Sequence, residues 1–157
     1  VTLPILETPA AGDNRRATVR IIAYEVLRGI SALARLNGGD TLSLLVFTGI
    51  WSANTQHLIS ARDRYAALQD VPSDSQRRPV PQDELANFLC IPKEIVAAYV
   101  AALIDAELVE RTADGLVVPA VVFTRPEMLD GTTELHARVM SMVMALRGAG
   151  FRFDEID

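Results

Sequence analysis

Side chains capable of covalent or metal chemistry are scarce in these 157 residues. The two histidines, His57 and His136, stand alone, and neither sits at a ligand spacing that would bring a second donor onto a shared metal ion. No Gly-rich phosphate loop and no nucleophile motif occurs, so the sequence predicts neither an enzyme nor a bound metal or cofactor. The single Cys90 cannot close an internal disulfide, and its neighbours Phe88, Leu89 and Ile91 predict a small buried hydrophobe in a reducing compartment. What remains is charge. Between residues 77 and 112 the cations Arg77, Arg78, Lys93 and Arg111 are set among Asp83, Glu84, Glu94, Asp105, Glu107 and Glu110, so the segment is net acidic. Its available chemistry is ion pairing and hydrogen bonding to a partner, not bond making.

Several elements must position these groups. Gln82 to Leu89 reads as a short helix with Leu85, Ala86 and Leu89 inward. Ile91-Pro92 then supplies a turn, with the proline at the first position of a second helix from Lys93 to about Glu107. Two helices joined this tightly must cross steeply. The second helix sets Val96, Val100 and Leu103 on one face, and Leu108 to Arg111 leaves it as a strand. Asp114-Gly115 fits a two-residue hairpin turn, and Leu116 to Phe123 reads as the returning strand. Helix, turn, helix, hairpin is the winged-helix order.

Glu84-Leu85-Ala86, Ala101 and Leu103, Leu108-Val109 and Arg111, with Asp114-Gly115 in the wing, resemble the winged helix-turn-helix of bacterial regulators of the MarR and IclR type. The likeness covers about a quarter of the chain, and it departs where those regulators carry a glycine just past the second helix. Glu107 stands there instead, which predicts strain or a shifted helix end. The resemblance implies a homodimeric transcriptional regulator that lays the second helix in the major groove of double-stranded DNA, with flanking helices pairing between subunits.

At 100° per residue, Glu94, Ala98, Ala101 and Asp105 fall opposite the Val96 face, where such a helix would meet DNA. Arg77, Arg78 and Lys93 are the candidates for phosphate, Glu94 for a cytosine amine and Ala98 for a thymine methyl. Tyr99 lies on the flank and Arg111 at the wing base. With so few cations, the expected salt dependence is shallow. Carboxylates and alanines on one exposed face equally suit a protein partner, which gives a second expectation: an interaction module that does not read DNA.

The rest of the chain frames this segment. Half of the residues are apolar, which suffices for a core, and the net charge of −5 argues against gross attraction to nucleic acid or to an anionic membrane. Residues 1–12, with two prolines, predict an irregular arm. A helix from Asp13 to Leu36 carries two apolar rows, Val19, Ile22, Val26, Leu33 and Leu36 beside Ala23, Leu27, Ile30 and Ala34, and must be covered on more than one side. Asp40 should cap a buried helix from Thr41 to about Ser60, with Phe47 and Trp51 in the core. Residues 61–81 read as a linker. Thr132 or Thr133, after Gly131, should cap a last helix in which Leu135, Val139, Met142 and Leu146 recur and Met140, Met142 and Met144 fill gaps. No leader pattern opens the chain and its longest apolar stretch, Leu42 to Ala53, is too short for a bilayer, so a cytoplasmic location is expected. The predicted fold is mainly α with a small β-hairpin: a winged helix-turn-helix at 76–123, flanked by helical parts at 13–75 and 124–157.

Overall fold

The computed structural model describes residues 13–36, 38–60 and 64–152, and the expected arm at 1–12 lies outside them. The protein is mainly helical with a small antiparallel two-stranded sheet. Helix α1 (Arg15–Leu36) starts where the Asp13 carboxylate accepts from the Arg15 amide at 3.2 Å and from its guanidinium at 3.0 Å. It ends at two glycines, with Gly38 at φ 72° and the Gly39 amide donating to Ala34 O at 2.7 Å. That closure needs a positive φ, which glycine adopts without strain.

Helix α2 (Thr41–Thr55) is capped as expected, Asp40 accepting from the Ser43 amide at 3.0 Å. It stops short of Ser60, because Gln56–Leu58 tightens into a 3-10 turn. Val46 and Ile50 are fully buried, and α2 contacts α1 (Arg15–Leu36) on one side and the next two helices on the other. Those are α3 (Gln82–Leu89) and α4 (Lys93–Asp105), bent 117° from each other. Pro92 is the residue before α4, one position earlier than the sequence suggested, and its carbonyl accepts from the Ile95 and Val96 amides at 3.0 Å.

Both helices end on a left-handed residue that is not glycine. Cys90 (φ 54°) closes α3, with the Ile91 amide on Ala86 O at 3.1 Å; Glu107 (φ 57°) closes α4, with the Leu108 amide on Leu103 O at 2.9 Å. Arg125 holds the Glu107 carbonyl at 2.8 Å, so a tertiary contact fixes the position where glycine was missing. The same geometry corrects the expectation for Cys90: at the outer edge of this turn the thiol is exposed, and Phe88 beside it is 74% exposed.

Strands β1 (Glu110–Thr112) and β2 (Gly115–Val117) pair antiparallel, Thr112 facing Gly115. The turn is therefore Ala113-Asp114, shifted by one from the expected Asp114-Gly115, and Thr112 Oγ accepts from the Asp114 amide at 3.3 Å while donating to Gly115 O at 3.0 Å. Gly115 is required for another reason. A Cβ there would lie 2.5 Å from the Val80 carbonyl oxygen, because Val80 bridges to Leu116 as a one-residue third strand, with amide bonds of 3.1 and 2.8 Å.

The return after β2 is not a strand to Phe123. Pro119 has no amide to continue a ladder, and Ala120–Thr124 forms a 3-10 helix. Helix α5 (Pro126–Gly148) begins at its proline, earlier than the expected cap at Thr132 or Thr133. Gly131 lies inside the helix, and the two threonine hydroxyls donate back to the Met128 and Leu129 carbonyls.

The buried cluster joins Val46 and Ile50 of α2 to Leu85, Val96, Val100, Leu103, Val109, Leu116 and Val122. Phe47 is buried and Trp51 partly so, each against Phe123 with ring centroids 6.3 and 5.4 Å apart. Helices α1 and α5 pack on each other, and Met142 lines their seam as a gap filler. Met140 and Met144 do not; they face solvent. No single helix among the described residues is long and apolar enough to cross a membrane.

Candidate nucleic-acid interface

Helix α4 divides as its periodicity requires: Val96 and Val100 are fully buried, while Glu94, Ala98, Ala101 and Asp105 are exposed on the opposite side. Glu94 sits in the first turn, where the helix dipole favours a carboxylate. Lys93, at the head of the helix, is already engaged: its Nζ lies 2.9 Å from the Asp83 carboxylate of α3, and both side chains are largely exposed. The charge a phosphate would seek there is shared with an anion, although a solvated pair of this kind is weak and exchangeable.

Arg111 projects from β1 and donates through Nη2 to Gln82 Oε1 at 2.8 Å, tying the hairpin to the first turn of α3. Tyr99 does not stand free on the flank. Its hydroxyl bonds to the Asp40 carboxylate that caps α2; partial loss of water, then that neighbouring charge, raises the phenol above its ordinary pKa.

The twin arginines separate completely. Residue 77 is extended (φ −84°, ψ 139°), so neighbouring side chains point to opposite sides. Arg78 is exposed, and its backbone is fixed at both ends by Asn54: its amide donates to Asn54 O at 3.0 Å and its carbonyl accepts from Asn54 Nδ2 at 2.7 Å. Arg77 points inward, with 1% of its side chain exposed, and cannot reach a phosphate on the surface. Its Nη2 donates to Pro72 O at 3.0 Å, its Cζ lies 5.1 Å from the Phe123 ring centre, and its Nε is 3.7 Å from Asp74 Oδ1. Burial lowers its pKa from the usual arginine value, with Asp74 acting the other way.

Of the seven candidates, Lys93, Glu94, Ala98 and Arg111 therefore present themselves around the exposed side of α4 and the base of the hairpin, Arg78 stands exposed beside the Val80 bridge, Tyr99 is half-buried and tied to Asp40, and Arg77 is turned inward. Asn54 was missed. It is fully buried at the end of α2, donates to Arg78 O and Leu116 O at 2.7 and 3.0 Å, and accepts from the Val118 amide at 2.9 Å. Every polar atom of that amide faces backbone, so it sets the height of the sheet against the helix. A lone asparagine in the apolar run of α2 was the available signal.

Neither histidine belongs to the site: His57 is in the 3-10 turn after α2 and His136 is exposed on α5. Among the described residues no group of three or more His, Cys, Asp or Glu could hold a metal ion. No family model matches the chain, and no curated protein or solved structure is significantly similar to it.

Proposed function

We propose that residues 76–123, with α2 behind them, are a winged helix-turn-helix, and that the chain is a DNA-binding transcriptional regulator acting as a homodimer. The observation that carries this reading is the Val80–Leu116 bridge. It sets one residue between α2 and α3 against β2, and with the 117° bend between α3 and α4 and the β1–β2 hairpin this order supports the winged-helix reading. In this reading α4 enters the major groove and Glu94 and Ala98 meet base edges. Lys93 and Arg78 hold phosphates, and Arg111 follows the hairpin along the backbone.

Dimerisation is supported by apolar side chains that α1 and α5 leave in solvent, Val19 and Leu27 at 65% exposure and Met144 at 72%. Light scattering behind size-exclusion chromatography is expected to give twice the 17.1 kDa chain mass at micromolar concentration; the single-chain mass there removes the dimer.

Fluorescence anisotropy with mixed-sequence duplex DNA at low salt tests the DNA reading. Binding that weakens in R78A, K93A and R111A, with a salt slope falling by about one unit per lost phosphate contact, supports it. A second reading, a winged-helix module that docks a protein instead, is favoured by the Lys93–Asp83 pair and by the two carboxylates on the outer face of α4. No binding at low salt by the folded chain decides for that second reading.

A further inference from the structure

We propose that the cavity bordered by α2, α5 and residues 65–72 binds a small monocarboxylate with an apolar body, and that Arg77 takes its carboxylate. Arg77 has more donors than partners: Nη2 reaches Pro72 O, but Nε and Nη1 are buried with no hydrogen-bond partner among the described residues. Its nearest carboxylate, Asp74, stands 3.7 Å from Nε, too far for a hydrogen bond, and the same oxygen already accepts from the Ala120 amide at 2.7 Å. A buried guanidinium with idle N–H groups is an unfavourable arrangement that an anionic oxygen relieves.

Arg77 borders a cavity of about 320 Å³ whose walls include Trp51, Leu58, Tyr65, Phe123 and Leu129. That size falls at the lower end of the roughly 300–1,000 Å³ typical of small-molecule clefts, which combine largely apolar walls with a few polar groups. Arg77 is the one cation that the described residues set on the cavity walls, and Asp74 already lies 3.7 Å from its Nε. Asp70, also on the rim, disfavours a second anionic group on the ligand, which selects a monocarboxylate over a phosphate or a dicarboxylate. The guanidinium now lies against the Phe123 ring, so engagement requires it to swing about its side-chain torsions and present Nη1 to the cavity. The site needs no DNA and no second subunit, and stands or falls apart from both.

Trp51 is the only tryptophan of the chain and lines this cavity, but it also lines two neighbouring ones, so the preference for acid over amide and its loss on changing Arg77 assign the response to this site. The full chain, without DNA, is titrated with hexanoate and cyclohexanecarboxylate and with their uncharged amides, none of which absorbs where tryptophan does. A saturable change in Trp51 emission is expected for at least one acid, about ten-fold tighter than for its amide, because the amide cannot form the charged hydrogen bond. R77M is expected to abolish that preference. No saturable response to either acid up to about 10 mM, or equal binding of acid and amide, overturns the proposal. Should circular dichroism show R77M unfolded, the comparison of acid with amide on the unaltered chain decides alone.

Discussion

The α2–α4 body with its hairpin and the α1–α5 pair solve the same problem differently. In the body, the core positions Ile50, Val96, Val100 and Leu116 are all at 0% exposure, and buried Asn54 has every polar atom bonded, although Arg77 keeps two buried nitrogens without a hydrogen bond and Phe88 stays in solvent. In the pair, α1 carries two apolar rows beside five arginines, and α5 does not cover all of the apolar positions. Val19, Leu27 and Met144 remain in solvent, and the seam holds a buried Glu25 whose Oε2 has no hydrogen bond. A region whose pattern is satisfied by its own chain is a folding unit. The apolar side chains that the pair's described residues leave in solvent are the surface for which a second copy is the proposed cover.

Asn54→Leu should break the body most. It strips three hydrogen bonds; Leu116 O keeps the Val80 amide, so the Arg78 carbonyl and the Val118 amide are left, and at roughly 1–3 kcal/mol for each group left unsatisfied the loss should be about 4 kcal/mol in urea unfolding. A loss below about 1 kcal/mol would mean that water replaces the amide and the body is not closed. Gly115→Ala comes next. The new methyl meets the Val80 carbonyl at a φ of 142°, and a cost of about 2 kcal/mol is expected, with faster hydrogen exchange at the Val80 and Leu116 amides.

The pair should answer in the opposite way. L27E with M144E should change unfolding free energy by less than about 0.5 kcal/mol, as exposed substitutions do, while reducing the solution mass from two chains to one. A large loss of stability without a change of mass would show that this face is closed within one chain, and the comparison would fail.

The smallest effect lies at the start of α1. Hydrogen bonds and charge from Arg15 hold the Asp13 carboxyl down at about 2. A folded pKa below the unfolded value, roughly 3.9, stabilises the helix end fully above that pH and is lost as pH falls through 2. Asp13 is on the surface, so the change should appear only as local fraying in an NMR titration; a midpoint near 4 would show the Arg15 contact absent in solution.

Much of the body was legible in advance because its signals are local. The bounds of α3, the start of α4 and its buried face follow from a 3.6-residue period, and the cap at Asp40 follows from a side chain three residues from its donor. The errors occurred where a local rule met a distant partner. Gly131 looked like a break, yet the helix had already been started by Pro126 and passes through it. Asp114-Gly115 looked like the turn, but the glycine is needed one step later, where the Val80 backbone passes.

The sequence by itself determined the existence of the five α-helices, that α3 and α4 must cross sharply, and that residues 77–112 carry few cations to offer an anion. Only the tertiary structure decided that Arg77 and Arg78, identical and adjacent, have opposite fates. In an extended segment successive side chains point to opposite sides, and which side is the interior depends on where α2 and Phe123 lie, residues 22 to 46 positions from Arg77 in the chain. Periodicity fixes what alternates; only packing fixes which of the two alternating faces is buried.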